Sequence, residues 1–315
     1  MAATDEIAAD YRVLTEDCGL LDRSDRGKLA LTGAGAKEFL NGQVSNEVEG
    51  LHPGEGVYAA FLTHKGKMLG DLRILDLGDE LFLDTERGSL QELFNMIRRF
   101  KIGYDVGLHK RTLERGLLSL VGPRAREIAG QAELSRREHE NVAAEIEGIP
   151  VRLIVTDVGG DLLCDAADTE RLASALRDRG AVGVGEEAVE CLRVERGRPR
   201  YGVDMDEGTI PQEAGINERA VSFTKGCYVG QETVARLHYK GKPNRHLRGL
   251  RLSAPAQRGD PLTLGDKQVG TVGTVALSPL HGPIALALVR REANPGDTVA
   301  VGDAPAPAEV VELPF

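Results

Sequence analysis

Beyond Gly241–Pro243 the chain changes texture. Residues 247–315 are short β-rich runs (HLRGLRL, QVGTVGTVAL, PIALALVR, DTVAV, AEVVEL) separated by Gly, Pro and Asp. Strands this short, spaced this evenly and ended by turn residues, predict an all-β barrel or sandwich module. A structural boundary is therefore expected near residues 241–245.

Upstream, helical and strand periodicities are mixed. Residues 28–31 (KLAL) read as a strand and TGAGAKEFLNGQV as a turn into a helix; LLSLV (117–121) followed by GPRAREIAGQ repeats the pattern. The two segments align as L-x-G-x-x-A-[KR]-E-[FI], a repeated strand–turn–helix unit. Gly33 and Gly35 invite a dinucleotide-binding reading, but Glu38 places a negative charge at the third glycine position, where a pyrophosphate would need close packing, so the glycines are read as a structural turn. Residues 57–84 alternate as strands, and 89–101 space Leu90, Leu93, Phe94 and Ile97 along one helical face. Strands return over 150–165, helices are expected over 168–179, capped by Asp168 or Thr169, and over 186–196. The fold class is α+β.

Charge limits the partners. With 39 basic and 49 acidic residues the net charge is −10, which argues against direct nucleic-acid binding or attraction to an anionic membrane except through a local patch. The N-terminal MAATDEIAADYRVL lacks a basic segment before an apolar core, and no apolar run approaches the roughly 18 residues of a membrane span, so a cytoplasmic protein is expected. Cys18, Cys164, Cys191 and Cys227 form no C-x-x-C pair, and the seven histidines form no HxH or HExxH group; no metal site is expected.

The octapeptide KGCYVGQE (225–232) holds the chemistry. Gly230 is followed by Gln-Glu and an apolar-periodic run, predicting a helix to about Tyr239 with Cys227 on the loop ahead of it. A helix N-terminus and Lys225 both favour a thiolate, although a helix end is worth only about 0.3–1 kcal/mol. The alternative is a small buried hydrophobe in a bend shaped by glycines.

Three motifs fall in order within this region: RxExGxPxYGxD (Arg193, Glu195, Gly197, Pro199, Tyr201, Gly202, Asp204), TIPQEAG (Thr209–Gly215) and KGCYVGQE. Together with LTGAGAKEFLNGQVSNEV and LHPGEGVYAAFLTHKGKMLGDLRI they closely resemble the YgfZ-type folate-binding proteins, relatives of the glycine-cleavage T-protein implicated in maintenance of iron–sulfur proteins, with tRNA-thiolating enzymes among the associated clients. The resemblance implies a three-lobed α+β fold around a central opening: residues 1–48 and 135–243 as a discontinuous folate-binding core, 49–134 as an inserted α+β domain, and 244–315 as a C-terminal β-barrel. It implies tetrahydrofolate or a related reduced folate as cofactor, and iron–sulfur proteins or their assembly machinery as partners. The T-protein's pterin carboxylate maps to Asp161, with Asp165 at the second acidic position; Arg193 is the implied anchor, and Asp71 and Tyr201 complete the cofactor-binding set. Cys227 becomes a redox or nucleophilic thiol beside the folate, taking up a one-carbon unit or ligating iron, tuned by Lys225. Gln231 and Glu232 hold the loop, and Gly226, Tyr228 and Gly230 shape it.

One departure matters. The T-protein's paired aspartates read Gly70–Asp71 here, so the carboxylate credited with assisting aminomethyl transfer is missing. The rival readings are a folate-dependent aminomethyltransferase or demethylase of small amines, and a binding module in which Cys227 is packing. Finally, residues 236–251 carry Arg236, Lys240, Lys242, Arg245, Arg248 and Arg251 without an acidic residue. They read either as a solvated connection or, through Arg236, Arg245 and Arg248, as a patch for the polyglutamyl tail of folate or for RNA phosphates.

Overall fold

A computed structural model describes residues 2–131, 137–303 and 305–315. The chain opens with α1 (Ala2–Glu16) and β1 (Gly19–Asp22). The first strand–turn–helix unit follows as β2 (Gly27–Thr32) and α2 (Ala36–Gln43), then β3 (Gly56–Leu62), β4 (Met68–Asp76), β5 (Leu81–Thr85), α3 (Leu90–Phe100) and β6 (Gly107–Lys110). The second copy is β7 (Arg115–Val121) and α4 (Ala125–Ile128), which makes only one turn; β8 (Asn141–Ile146), β9 (Ile149–Thr156), β10 (Gly159–Asp165), α5 (Thr169–Asp178) and β11 (Val182–Gly183) follow. Then come α6 (Glu186–Glu195), α7 (Asn217–Ala220) and α8 (Gln231–Lys240). Asp168 precedes α5 but makes no side-chain cap; it pairs with Arg171 instead.

The repeat is geometric as well as sequential. An added Cβ on Gly33 would stand 2.3 Å from Asp105 O, and one on Gly122 2.4 Å from Asp17 O. Both glycines have positive φ, so each strand exit turns against a neighbouring backbone where only glycine fits. The two units then build similar sheets, ordered β3-β4-β5-β2-β6 and β8-β9-β10-β7-β1-β11, antiparallel throughout except for the parallel β1–β11 pairing. These sheets cut the chain differently from the expected domains: β2, expected in the discontinuous core, pairs with β5, and β7, expected in the insert, pairs with β10. The expected boundary at 134/135 lies outside the described residues.

Period-two alternation assigns the faces. Leu72 and Ile74 of β4 pack with Phe39, Leu40, Leu93 and Ile97 under α2 and α3. Leu118, Leu120 and Leu162 pack with Leu172 and Leu176 of α5. The opposite faces meet each other through Leu75, Phe82, Leu117, Ile154 and Leu163, so the central strands β4, β5, β7 and β10 are buried on both sides and read as near-continuous apolar runs.

The C-terminal module closes as a six-stranded barrel from β12 (Arg245–Leu252), β13 (Pro261–Leu264), β14 (Lys267–Ser278), β15 (Gly282–Arg290), β16 (Thr298–Val301) and β17 (Ala306–Val311). It seats on α6, where Val194 packs with Leu247, Ile284 and Leu286. Among the described residues no helix is long and apolar enough to cross a membrane.

Candidate functional site

Moving two residues along each strand from the apolar inter-sheet contact, the facing side chains become charged. Arg73 lies beside Asp84 in register on β4 and β5, as Leu75 lies beside Phe82; Asp161 lies opposite Ser119 on β10 and β7, as Leu163 lies opposite Leu117. The sheets separate here into a cavity of about 270 Å³, walled also by Tyr58, Asp71, His139, Leu192, Arg193 and Arg219. A larger hollow of about 430 Å³ near Leu14 and Gly122 has Asp157 as its one acidic wall residue and offers no comparable constellation.

The cavity's charges are paired across the sheets. Arg73 donates to Asp161 Oδ2 and to Asp84 Oδ2, both at 2.6 Å, and Arg26 donates to Asp84 Oδ1 at 2.7 Å. Burial works to raise the pKa of Asp84, but the two guanidinium groups outweigh it and hold it below the usual carboxylate range. Asp71 differs: burial pushes its pKa up to about 6, only partly offset by the hydrogen bond from Tyr58 Oη at 2.6 Å. A hydrogen bond from its own backbone also lowers it, by less than burial raises it. The guanidinium of Arg219 lies 5.0 Å from the Tyr58 ring centroid and pairs with Glu138.

His139 is the oddest wall residue. It is non-glycine with φ 71°, only 9% exposed, and its Nδ1 is buried without a partner among the described residues. Burial first, then Arg73 and Arg219, push its pKa down to about 3. The ring is therefore neutral at physiological pH, and its 3.6 Å approach to Glu138 is not an ion pair. An unsatisfied buried polar group costs about 1–3 kcal/mol.

Several sequence expectations change in three dimensions. Asp161 does reach the cavity, but Arg73 and Ser119 Oγ (2.6 Å) occupy its two oxygens. Arg193 reaches the wall too, yet its guanidinium is spent on Glu190, Asp204, Thr274 and the Arg198 carbonyl, clamping α6 to the following loop and to the barrel. Asp165 is outside, paired with Arg115 at the end of its strand. Tyr201 is also outside, packed with Tyr228 and Val234. Of the cofactor-binding set, Asp71, Asp161 and Arg193 line the cavity and Asp165 and Tyr201 do not.

The KGCYVGQE loop lies elsewhere. Lys225 Nζ donates to the carbonyls of Asn41 (2.6 Å), Val44 (3.0 Å) and Asn46 (2.6 Å), holding the C-terminal end of α2 where a cation is favoured. Burial pushes its pKa down to about 8. With its ammonium so engaged, Lys225 serves α2 and not the thiol. Tyr228 is buried in a core with Leu62 and Met68. Gly230, at φ 86°, opens α8 as predicted, and an added Cβ there would meet Thr63 O at 2.6 Å. Gly226 meets no such crowding, and the side chains of Gln231 and Glu232 form no hydrogen bond or ion pair among the described residues, so they do not hold the loop. Cys227 is exposed, whereas Cys18, Cys164 and Cys191 are buried, and no residue of 221–240 lines the cavity. The expected shared chamber for thiol and ligand is therefore not formed.

The basic stretch is partly neutralised from outside itself: Arg245 pairs with Glu213 and Arg248 with Glu312, while Arg236 is exposed on α8. None of the three lines the cavity. Arg26, Tyr58, Arg73, Asp84, Ser119, His139 and Arg219 were missed by sequence reasoning. The available signal was Asp71 and Arg73 inside the otherwise apolar strand MLGDLRILDL, since charges in a strand buried on both faces need partners.

A family model described as the GCVT N-terminal domain matches residues 1–225, and one described as the glycine cleavage T-protein C-terminal barrel domain matches 245–315. An aminomethyltransferase of Rubrobacter xylanophilus is 29% identical, covering 98% of this chain and 86% of its own length. Another, of Halothermothrix orenii, is 28% identical with 98% and 91% covered. A putative chloroplastic transferase of Arabidopsis thaliana is 26% identical with 90% and 68% covered. The glycine cleavage system aminomethyltransferase T of Bartonella henselae shares the fold at a TM-score of 0.86 and 23% identity, over 98% of this chain and 89% of that one.

Proposed function

The chain belongs to the GCVT family with its T-protein C-terminal barrel, and we propose that it is a YgfZ-type member: a folate-binding protein that supports assembly or repair of iron–sulfur enzymes, tRNA-modifying ones included, without aminomethyl transfer. Reduced folate occupies the inter-sheet cavity, with Asp71 and the wall around it as contacts; bound there, tetrahydrofolate supplies one-carbon carriage. The observation that carries this reading is the space at Gly70. An added Cβ would stand 2.5 Å from Phe61 Cζ, and Phe61 is fully buried, so a carboxylate at that position has no room. The motif KGCYVGQE supports the YgfZ-type assignment. Because Cys227 faces solvent, its thiol acts on a docked partner and not on the ring inside.

Titration calorimetry with tetrahydrofolate, paired with an assay for methylenetetrahydrofolate from glycine-cleavage intermediates and small amines, tests the proposal: binding without turnover is expected. Turnover would favour the aminomethyltransferase or demethylase reading, to which the names of the relatives lend weight. In cells lacking the protein, iron–sulfur enzyme activity should be restored by the wild type and not by Cys227→Ser; full restoration by the serine variant would reject the functional thiol.

A further inference from the structure

We propose that His139 is the residue that reads the pteridine ring in the inter-sheet cavity, a task the T-protein resemblance would give to Asp161. The inference rests on the folate reading above and names the recognition element of that same site. Asp161 already accepts from Arg73 and Ser119, each at 2.6 Å, which fixes its carboxylate and uses part of its acceptor capacity. His139, in contrast, is built into the wall with Nδ1 unpartnered among the described residues. Its backbone N–H is fixed to Val155 O at 2.9 Å, and its left-handed φ of 71° is a conformation that a non-glycine side chain adopts only when its surroundings impose it. Nδ1 is buried with no partner among the described residues, and Nε2 stops 3.6 Å from Glu138 Oε1, beyond hydrogen-bond reach, while that carboxylate is held by Arg219. Buried polar atoms are nearly always satisfied, so an imidazole on a cavity wall whose Nδ1 has no partner among the described residues marks a place where a ligand supplies the match.

The chemistry of the ring selects the ligand edge. A neutral imidazole offers one N–H donor and one bare nitrogen acceptor. The two nitrogens point apart, so a ligand in the cavity meets one of them: the lactam edge of a pteridine, an N–H beside a carbonyl, offers a donor or an acceptor to Nδ1, whichever tautomer the ring holds, without charge. Asp71, which lines the same cavity and accepts from Tyr58, is the acceptor for the ring's remaining N–H groups.

Titration calorimetry on wild type, His139→Asn and His139→Gly tests this, using 5-formyltetrahydrofolate and, as a probe without the pteridine, p-aminobenzoylglutamate. Asn and Gly both tolerate a left-handed backbone, so neither replacement strains the turn, and only Asn keeps polar atoms near Nδ1. The Asn variant should bind the formyl folate within about threefold of wild type and the Gly variant at least about tenfold more weakly, with the fragment bound alike by all three. Equal affinity of wild type and the Gly variant for the formyl folate overturns the proposal and leaves the folate reading standing. A matching loss for the fragment assigns His139 to the fold and overturns it as well. No binding by wild type removes the folate reading, and this inference falls with it.

Discussion

In the loop 222–230 the residues that stand out in sequence are occupied with holding the backbone: Lys225 closes the end of α2, Tyr228 fills a core and Gly230 lets α8 start against Thr63, leaving the Cys227 thiol as the exposed remainder. In the inter-sheet cavity the reverse holds. Its determining residues, Arg73, Asp84 and His139, sit in unremarkable stretches and acquire meaning only through one another. The difference teaches that a motif records crowded geometry at least as readily as chemistry, whereas a buried charge network leaves little local trace.

Variants at the two places should separate them. Arg73→Met removes the cation shared by two nearly buried carboxylates and should cost about 3–5 kcal/mol in urea unfolding; a cost below about 1 kcal/mol would show the network to be solvated. The pH dependence of stability sharpens the cavity side, because two of its groups pull in opposite directions. The pKa of Asp71 is raised from 3.8 to about 6, so between these values the folded state binds more protons than the unfolded and its stability falls as pH rises, by about 3 kcal/mol in all. For His139, lowered from 6.5 to about 3, the unfolded state binds more, and stability rises with pH over that window. Asp71→Asn should therefore flatten the loss between pH 4 and 6, and His139→Asn should lessen the instability in acid; identical urea midpoints for variants and wild type at both ends would reject these environments.

On the loop, Lys225→Met leaves three carbonyls without their donor and should cost about 2–3 kcal/mol, whereas a residue serving only the thiol would be nearly neutral. Gly230→Ala combines a left-handed backbone with a 2.6 Å approach to Thr63 O and should cost about 1–2 kcal/mol. The smallest effect belongs to Cys227→Ser, which should leave Tm within about 1 °C; a larger drop in calorimetry would return Cys227 to the packing role.

Much of the scaffold was legible because it is written locally. The aligned Leu-x-Gly-x-x-Ala units predicted two equivalent strand exits, and Gly33 and Gly122 make them. Leu93 and Ile97 are fully buried as the helical spacing required, and Gly230 opens α8. Misreadings arose where a side chain's partner lies far away in sequence. Arg193 looked free for a ligand until Asp204, Glu190 and Thr274 closed around it, and the basic stretch looked uncompensated until Glu213 and Glu312 arrived from other segments.

By itself, the sequence determined the C-terminal all-β module, the repeated strand–turn–helix unit and the turn chemistry, since strand period and glycine placement act over a few neighbouring residues. Tertiary structure alone decided which polar groups face one another: Arg73 and Asp161 are 88 residues apart, and only the stacking of two separately built sheets brings them within 2.6 Å. Desolvation and pairing, which set the cavity's chemistry, are properties of that stacking and not of either strand.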